Sequence, residues 1–105
     1  MDNLEFISLI TVIQSPDKFD GKAIRVVGLC TFRFEGKAMW VSGEALEKAI
    51  TKNAVWLDIP LTEKLRAENR KVMIVEGVFS AQNKGHLGLY SGSIEQIARV
   101  DRWEK

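Results

Sequence analysis

From Lys22 onward the chain reads "KAIRVVGLCTFRF", and apolar residues recur at every second position. A period of two puts Ile24, Val26, Gly28, Cys30, Phe32 and Phe34 on one face of a long strand, with Arg25, Thr31 and Arg33 on the other. Gly28 sits inside it, where a missing side chain permits the bend or close backbone approach that small barrels need. "FEGKA" makes a short turn into "AMWVS", so Glu35 and Gly36 close a β-hairpin.

The other segments fit around that hairpin. Phe6, Ile10 and Ile13, with Leu9 beside them, follow a helical stripe that predicts a helix over residues 4–14, ended by "SPDKFDG". Ser42 before "GEALEKAI" caps a short helix whose apolar side is Ala45, Leu46, Ala49 and Ile50, with Glu44 near its positive end. "AVWLDI" reads as a third strand stopped by Pro60, and "LTEKLRAENR" as a surface helix or loop. "KVMIVEGVFSA" is a fourth strand, "QNKGH" a turn, and "LGLYSGSIEQIARV" a fifth strand with room for a bulge. The pattern predicts a mainly β fold: a five-stranded antiparallel OB-like barrel with an N-terminal helix and a short inserted helix. Another small antiparallel β-roll or sandwich is the rival.

A chain of 105 residues with no repeat or linker is expected to form one domain, residues 1–105. Cys30 is the only cysteine, so no internal disulfide forms, and a lone thiol suits a reducing, cytoplasmic setting. Asp2 and Glu5 stand where a secretory leader carries positive charge. The apolar stretch after them is broken by Ser8, Thr11 and Gln14, well short of the roughly 20 apolar residues that span a bilayer. Neither export nor membrane insertion is expected. Fifteen basic against fourteen acidic residues leave a formal charge of +1, without the basic excess common in nucleic-acid binders.

"FDGKAIRVVGLCTFRFEGKAMW", "AVWLDI" and "VEGVFSAQNKGHLGLYSGSIEQIARV" together resemble a group of small freestanding bacterial OB-fold-like proteins of largely unassigned function. The resemblance covers roughly residues 19–100 and contains no catalytic signature. One role it implies is immunity: binding and neutralising a partner toxin.

"GHLGLYSG", residues 85–92, concentrates the candidate chemistry. A phosphate-binding loop would lead into a helix and carry GxGxxG or GK[ST] spacing. Gly85, Gly88 and Gly92 lack that spacing, and "SIEQIARV" beyond them alternates, so a glycine-bent barrel strand is the favoured reading. His86 could serve Ser91 or Cys30 as a base. Ser91, however, lies about 17 Å away on an extended chain rising ~3.4 Å per residue, and Cys30 belongs to the inward series. His86 is therefore expected as a turn residue. One histidine and one cysteine cannot make a usual zinc site. Asp58, Glu35 and Glu76, which a barrel could gather for magnesium or acid–base work, read instead as solvent-facing. The expectation is a non-enzymatic protein without metal or cofactor.

Trp40 and Trp56 fall on the outer face if Met39, Val55 and Leu57 point inward. Either the N-terminal helix covers them or they form a binding platform with Arg25 and Arg33; outer Val27 and Leu29 favour coverage. The leading functional expectation is a protein-binding module, an immunity-type inhibitor whose target includes nucleases. Its candidate contact residues are Arg33, Trp40, Glu44, Glu47, Trp56, Asp58 and Tyr90, because aromatic and arginine anchors dominate interfaces and carboxylates would meet a basic nuclease site. The alternative is a single-stranded nucleic-acid-binding OB domain. A small enzyme using His86 is the least supported.

Overall fold

In a computed structural model that describes residues 4–104, the period-two segment forms β1 (Ala23–Thr31). Ile24, Val26, Cys30 and, just past the strand, Phe32 are buried as the alternation requires. Phe34 is not: it is 78% exposed, because the chain leaves the strand and turns through residues 33–36, with Glu35 at φ 62°. Beyond that turn β2 (Ala38–Trp40) pairs back antiparallel, Cys30 facing Met39. A Cβ on Gly28 would lie 2.7 Å from Met39 Cγ, so the absence of a side chain there admits the close approach of Met39.

Ser42 caps α3 (Gly43–Glu47), its hydroxyl accepting from Ala45 N–H at 3.1 Å. Ala45 and Leu46 are buried. Ala49 and Ile50, expected on the same apolar side, are exposed, because the helix stops at Glu47 and Ala49 turns at φ 51°. β3 (Ala54–Leu57) follows, then α4 (Glu63–Arg66) and β4 (Lys71–Ser80), which pairs with nearly all of β1. β5 (Ser93–Arg102) runs antiparallel to β4, with a register shift between Glu76 and Val78.

The barrel is closed in the order β1-β2-β3-β5-β4. The antiparallel arrangement expected from the sequence holds at four of the five junctions and fails at the fifth, where β3 and β5 pair in parallel through Trp56↔Ser93 and Leu57↔Ile94. The reason is parity: direction must alternate around an antiparallel ring, and five strands cannot alternate and close.

The N-terminal expectation is also corrected. The helix over residues 4–14 is confined to α1 (Leu9–Gln14), and a second short helix, α2 (Pro16–Phe19), begins on Pro16 inside the expected stop. Residues 4–7 instead run alongside β1: Ile7 N–H donates to the Arg25 carbonyl at 2.9 Å, and Phe6 bridges Arg25 in parallel. An apolar stripe this short does not distinguish helix from extended chain. Leu9, Val12 and Phe19 join the barrel core of Met39, Val55, Leu57, Met73, Val75, Phe79 and Ile94. Asp2, used above against a leader, lies outside the described residues. Among those described, no helix is long and apolar enough to cross a membrane.

Candidate binding groove

The segment 85–92 is not a strand. Gly85, Leu87, Gly88 and Gly92 all have positive φ, at 69°, 58°, 67° and 149°, and such residues cannot propagate a pleated strand. They form instead a compact loop with a 3₁₀ turn at His86–Gly88, closed at its base by Tyr90 N–H donating to the Lys84 carbonyl at 3.0 Å. Ser91 N–H to Ala54 O and Trp56 N–H to Gly92 O tie its far end to β3.

This loop, rather than the N-terminal helix alone, settles the environment of the tryptophans. Trp40, 4% exposed, packs with Ala38, Ala45, Leu46, Ala54 and Tyr90 in a second apolar cluster outside the barrel. Its indole N–H donates to Thr31 Oγ1 at 3.1 Å, and that hydroxyl donates to the Gly36 carbonyl at 2.6 Å. Tyr90 is buried against both tryptophans, with centroids 6.3 Å from Trp40 and 5.5 Å from Trp56. Burial raises the pKa of its phenol, and the Arg33 charge acts in the opposite direction.

Trp56 remains partly open. The backbone of Gly85 lies so close that a Cβ there would stand 2.5 Å from Trp56 Cβ, and the His86 ring stacks on the indole at 6.2 Å and 24°. Lys37 Nζ lies 5.2 Å from the Trp56 centroid and donates to the Ile59 carbonyl at 2.7 Å. Together with Phe34, Glu35 and Leu61 these residues line a groove of about 430 Å³ between the β1–β2 turn and the β4–β5 loop. One contact spans it: His86 Nε2 to Glu35 Oε2, 3.3 Å. The most exposed large apolar side chains among the described residues stand on these two loops, Phe34 at 78% and Leu87 at 77%.

Of the contact residues expected from sequence, Arg33 and Trp56 belong to this region, and Asp58 is exposed just past β3. Glu44 and Glu47 are exposed on α3, paired with Lys48 at 3.6 Å and Arg70 at 2.5 Å. Trp40 and Tyr90 are buried, so neither presents an anchor at the surface. Phe34 was assigned inward by extending the alternation through a turn; the "EG" after it is the signal that the strand has already ended. Leu87 has no comparable signal, since a leucine between two glycines also fits a bent strand.

The acid–base groups are dispersed. Ser91 donates its hydroxyl to the Lys52 carbonyl and does not meet His86. Burial pushes the Cys30 thiol far above its ordinary pKa, so it stays protonated. Glu76, expected to face solvent, is instead buried, because Arg25 at 2.8 Å and Arg99 at 3.1 Å pair its carboxylate. Among the described residues no three His, Cys, Asp or Glu side chains gather as a metal site. In comparisons with known proteins, no family model, no curated protein and no solved structure matches this chain.

Proposed function

We propose that the chain is a protein-binding module built on an OB-like barrel, and that the groove between the β1–β2 turn and the β4–β5 loop receives an apolar side chain of the partner. What supports the OB-like reading is the ring order β1-β2-β3-β5-β4 together with a groove beside Trp56 of β3, between the β1–β2 turn and the β4–β5 loop, where such barrels take their ligands. The observation that carries the functional reading is the pair Phe34 and Leu87. Two large apolar side chains are held in water at neighbouring loop tips, Leu87 in a left-handed backbone and Phe34 beside one. Burying such a side chain on a partner contributes on the order of 2 kcal/mol. Beside Phe34 in the chain, Arg33, Glu35 and Lys37 give the β1–β2 turn charges of both signs, as in protein interfaces.

The narrower form of the reading is an immunity-type inhibitor of a toxin, nucleases among its targets, which rests on the resemblance described above. Its test is co-purification with toxin domains encoded beside this protein. Phe34→Ala should weaken such a complex by roughly 30-fold, the equivalent of about 2 kcal/mol. A Phe34→Ala, Leu87→Asn double variant with unchanged affinity would remove the groove from the interface. Failure to form a complex with any neighbouring toxin domain would remove the immunity role.

A second reading has its own observation: Phe34, Trp56 and His86 present rings in one groove beside Lys37, an arrangement on which unpaired bases stack. Leu61 and Leu87 suit an apolar side chain better than a base, which ranks this reading second. Binding of short oligonucleotides that weakens steeply with salt would reverse the ranking.

A further inference from the structure

A second groove lies on the barrel wall, at a break in the pairing of β1. Successive residues of a strand point their main-chain groups to opposite sides. On β1 the side is fixed by two bonds: Phe79 N–H reaches the Lys22 carbonyl on the β4 side, and Ile7 N–H reaches the Arg25 carbonyl on the other. The N–H and C=O of Arg25, Val27, Leu29 and Thr31 therefore face away from β4. Arg25 is met there by the N-terminal segment, and Leu29 and Thr31 stand opposite Trp40 and Ala38 of β2. Val27 is met by neither. The N-terminal segment turns into α1 after Ile7, and on the other flank Ser42, which the β1–β2 register would set opposite Val27, caps α3 and gives its carbonyl to Leu46 N–H. One rung of the ladder thus has no backbone partner among the described residues.

That rung opens into a groove of about 380 Å³ with Phe6 and Ile10 on one wall and Trp40 and Val41 on the other. Phe6 and Ile10 are 55% and 49% exposed, and no charged side chain lines the groove. We propose that this groove is a peptide-binding site that takes a short, uncharged, apolar segment of a partner protein. One residue of the segment completes the Val27 rung with its own N–H and C=O, and its side chain lies against Phe6 and Ile10. A backbone donor and acceptor pointing the same way specify an extended residue of another chain, whose N–H and C=O also point one way and supply the complementary pair. The length is bounded as well. From Arg25 to Leu29 is roughly 13 Å at ~3.3 Å per residue, and both flanking rungs are taken, so a long added strand does not fit. The occupant is the apex of a turn or a chain end, two or three residues long. This site is separate from the loop groove and does not depend on the reading given to it.

The test begins with amide hydrogen exchange on the free protein. Val27 should exchange at least about tenfold faster than Val26 and Gly28, whose amides face β4. Titration with N-acetyl-leucine-N-methylamide, followed by amide NMR, should then give a saturable shift at Val27 and slow its exchange. Ile10→Asp, at an exposed position that leaves the fold intact, should weaken that binding by about tenfold or more. The fully N-methylated analogue, which has no N–H to donate, should not bind. Protection of Val27 equal to that of its neighbours would overturn the proposal. So would shifts that fail to saturate, or equal binding by the N-methylated analogue.

Discussion

Replacing Gly85 with alanine tests the physical basis of the loop groove, because the structure separates two costs that usually arrive together. Gly85 and Gly88 sit in the same loop at similar φ, 69° and 67°, but Gly85 has ψ −154°, a conformation nearly exclusive to glycine. A Cβ costs about 1–2 kcal/mol in a left-handed backbone such as that of Gly88, and about 1–3 kcal/mol in the conformation of Gly85. At Gly88 nothing lies within 4 Å of the added atom, so that is the whole cost. At Gly85 the added atom would stand 2.5 Å from Trp56 Cβ and 2.6 Å from Cγ, which belong to the stem of a rigid ring tied into β3. Overpacking of this kind adds roughly 1–3 kcal/mol. Gly88→Ala should therefore lower stability by about 1–2 kcal/mol, and Gly85→Ala by about 2–6 kcal/mol. Urea unfolding read by far-ultraviolet circular dichroism measures both, with unchanged m-values licensing the comparison. If the loop escapes the clash by lifting off Trp56, the Gly85 loss is capped, and the Ser91 amide, bonded to the Ala54 carbonyl, loses its exchange protection. Equal destabilisation by the two variants, with Ser91 still protected in both, would refute the claim that Gly85 is held for its contact with Trp56.

Glu76 is expected to govern part of the acid sensitivity. Burial alone would raise its pKa, but hydrogen bonds and charge from Arg25 and Arg99 prevail and hold it below the ordinary glutamate value. Its contribution is then complete above about pH 4.3, the unfolded value, and is lost as pH falls through the lower folded value. Glu76→Gln should be less stable than wild type at pH 7, and the difference should shrink below about pH 4.3; a constant difference would contradict the assignment. Cys30 should resist a thiol reagent in the folded protein and react on unfolding, so labelling should track the denaturation curve. Trp40→Phe should destabilise the protein by about 1–3 kcal/mol, since it strips the buried Thr31 hydroxyl of its donor; stability within 0.5 kcal/mol of wild type, a rough bound for surface changes, would contradict this.

Much of the barrel is legible in the chain because its elements carry local physical signals. The alternation from Ile24 to Phe32 is read correctly since each inner residue is independently driven out of water. Ser42 announces α3 because a hydroxyl one residue before a helix has a donor waiting for it. The parallel junction needs closure of the ring as a further fact, since an open five-stranded sheet can be antiparallel throughout. What escaped depends on tertiary context. The short stripe from Phe6 to Ile13 divides between an extended segment and a helix because the edge of β1 competes for residues 4–7. Segment 85–92 leaves the sheet because four positive φ values outweigh its apolar spacing. Trp40 and Tyr90 were sought at the surface, yet outer faces of a small barrel can be roofed by a loop that no periodicity reveals.

Closure through β3 and β5 also sets an order of events during synthesis. β5 is the last of the five strands to emerge, and both of its neighbours, β3 and β4, are already made by then. Until residues 93–102 clear the ribosome, the nascent chain can reach only an open four-stranded ribbon with two bare edges, each a template for pairing with another chain. The interval between β4 and β5 is when the chain is most prone to aggregate. Slow codons or a stall there would harm this protein more than the same delay between β1 and β2, whose pairing spans only a few residues.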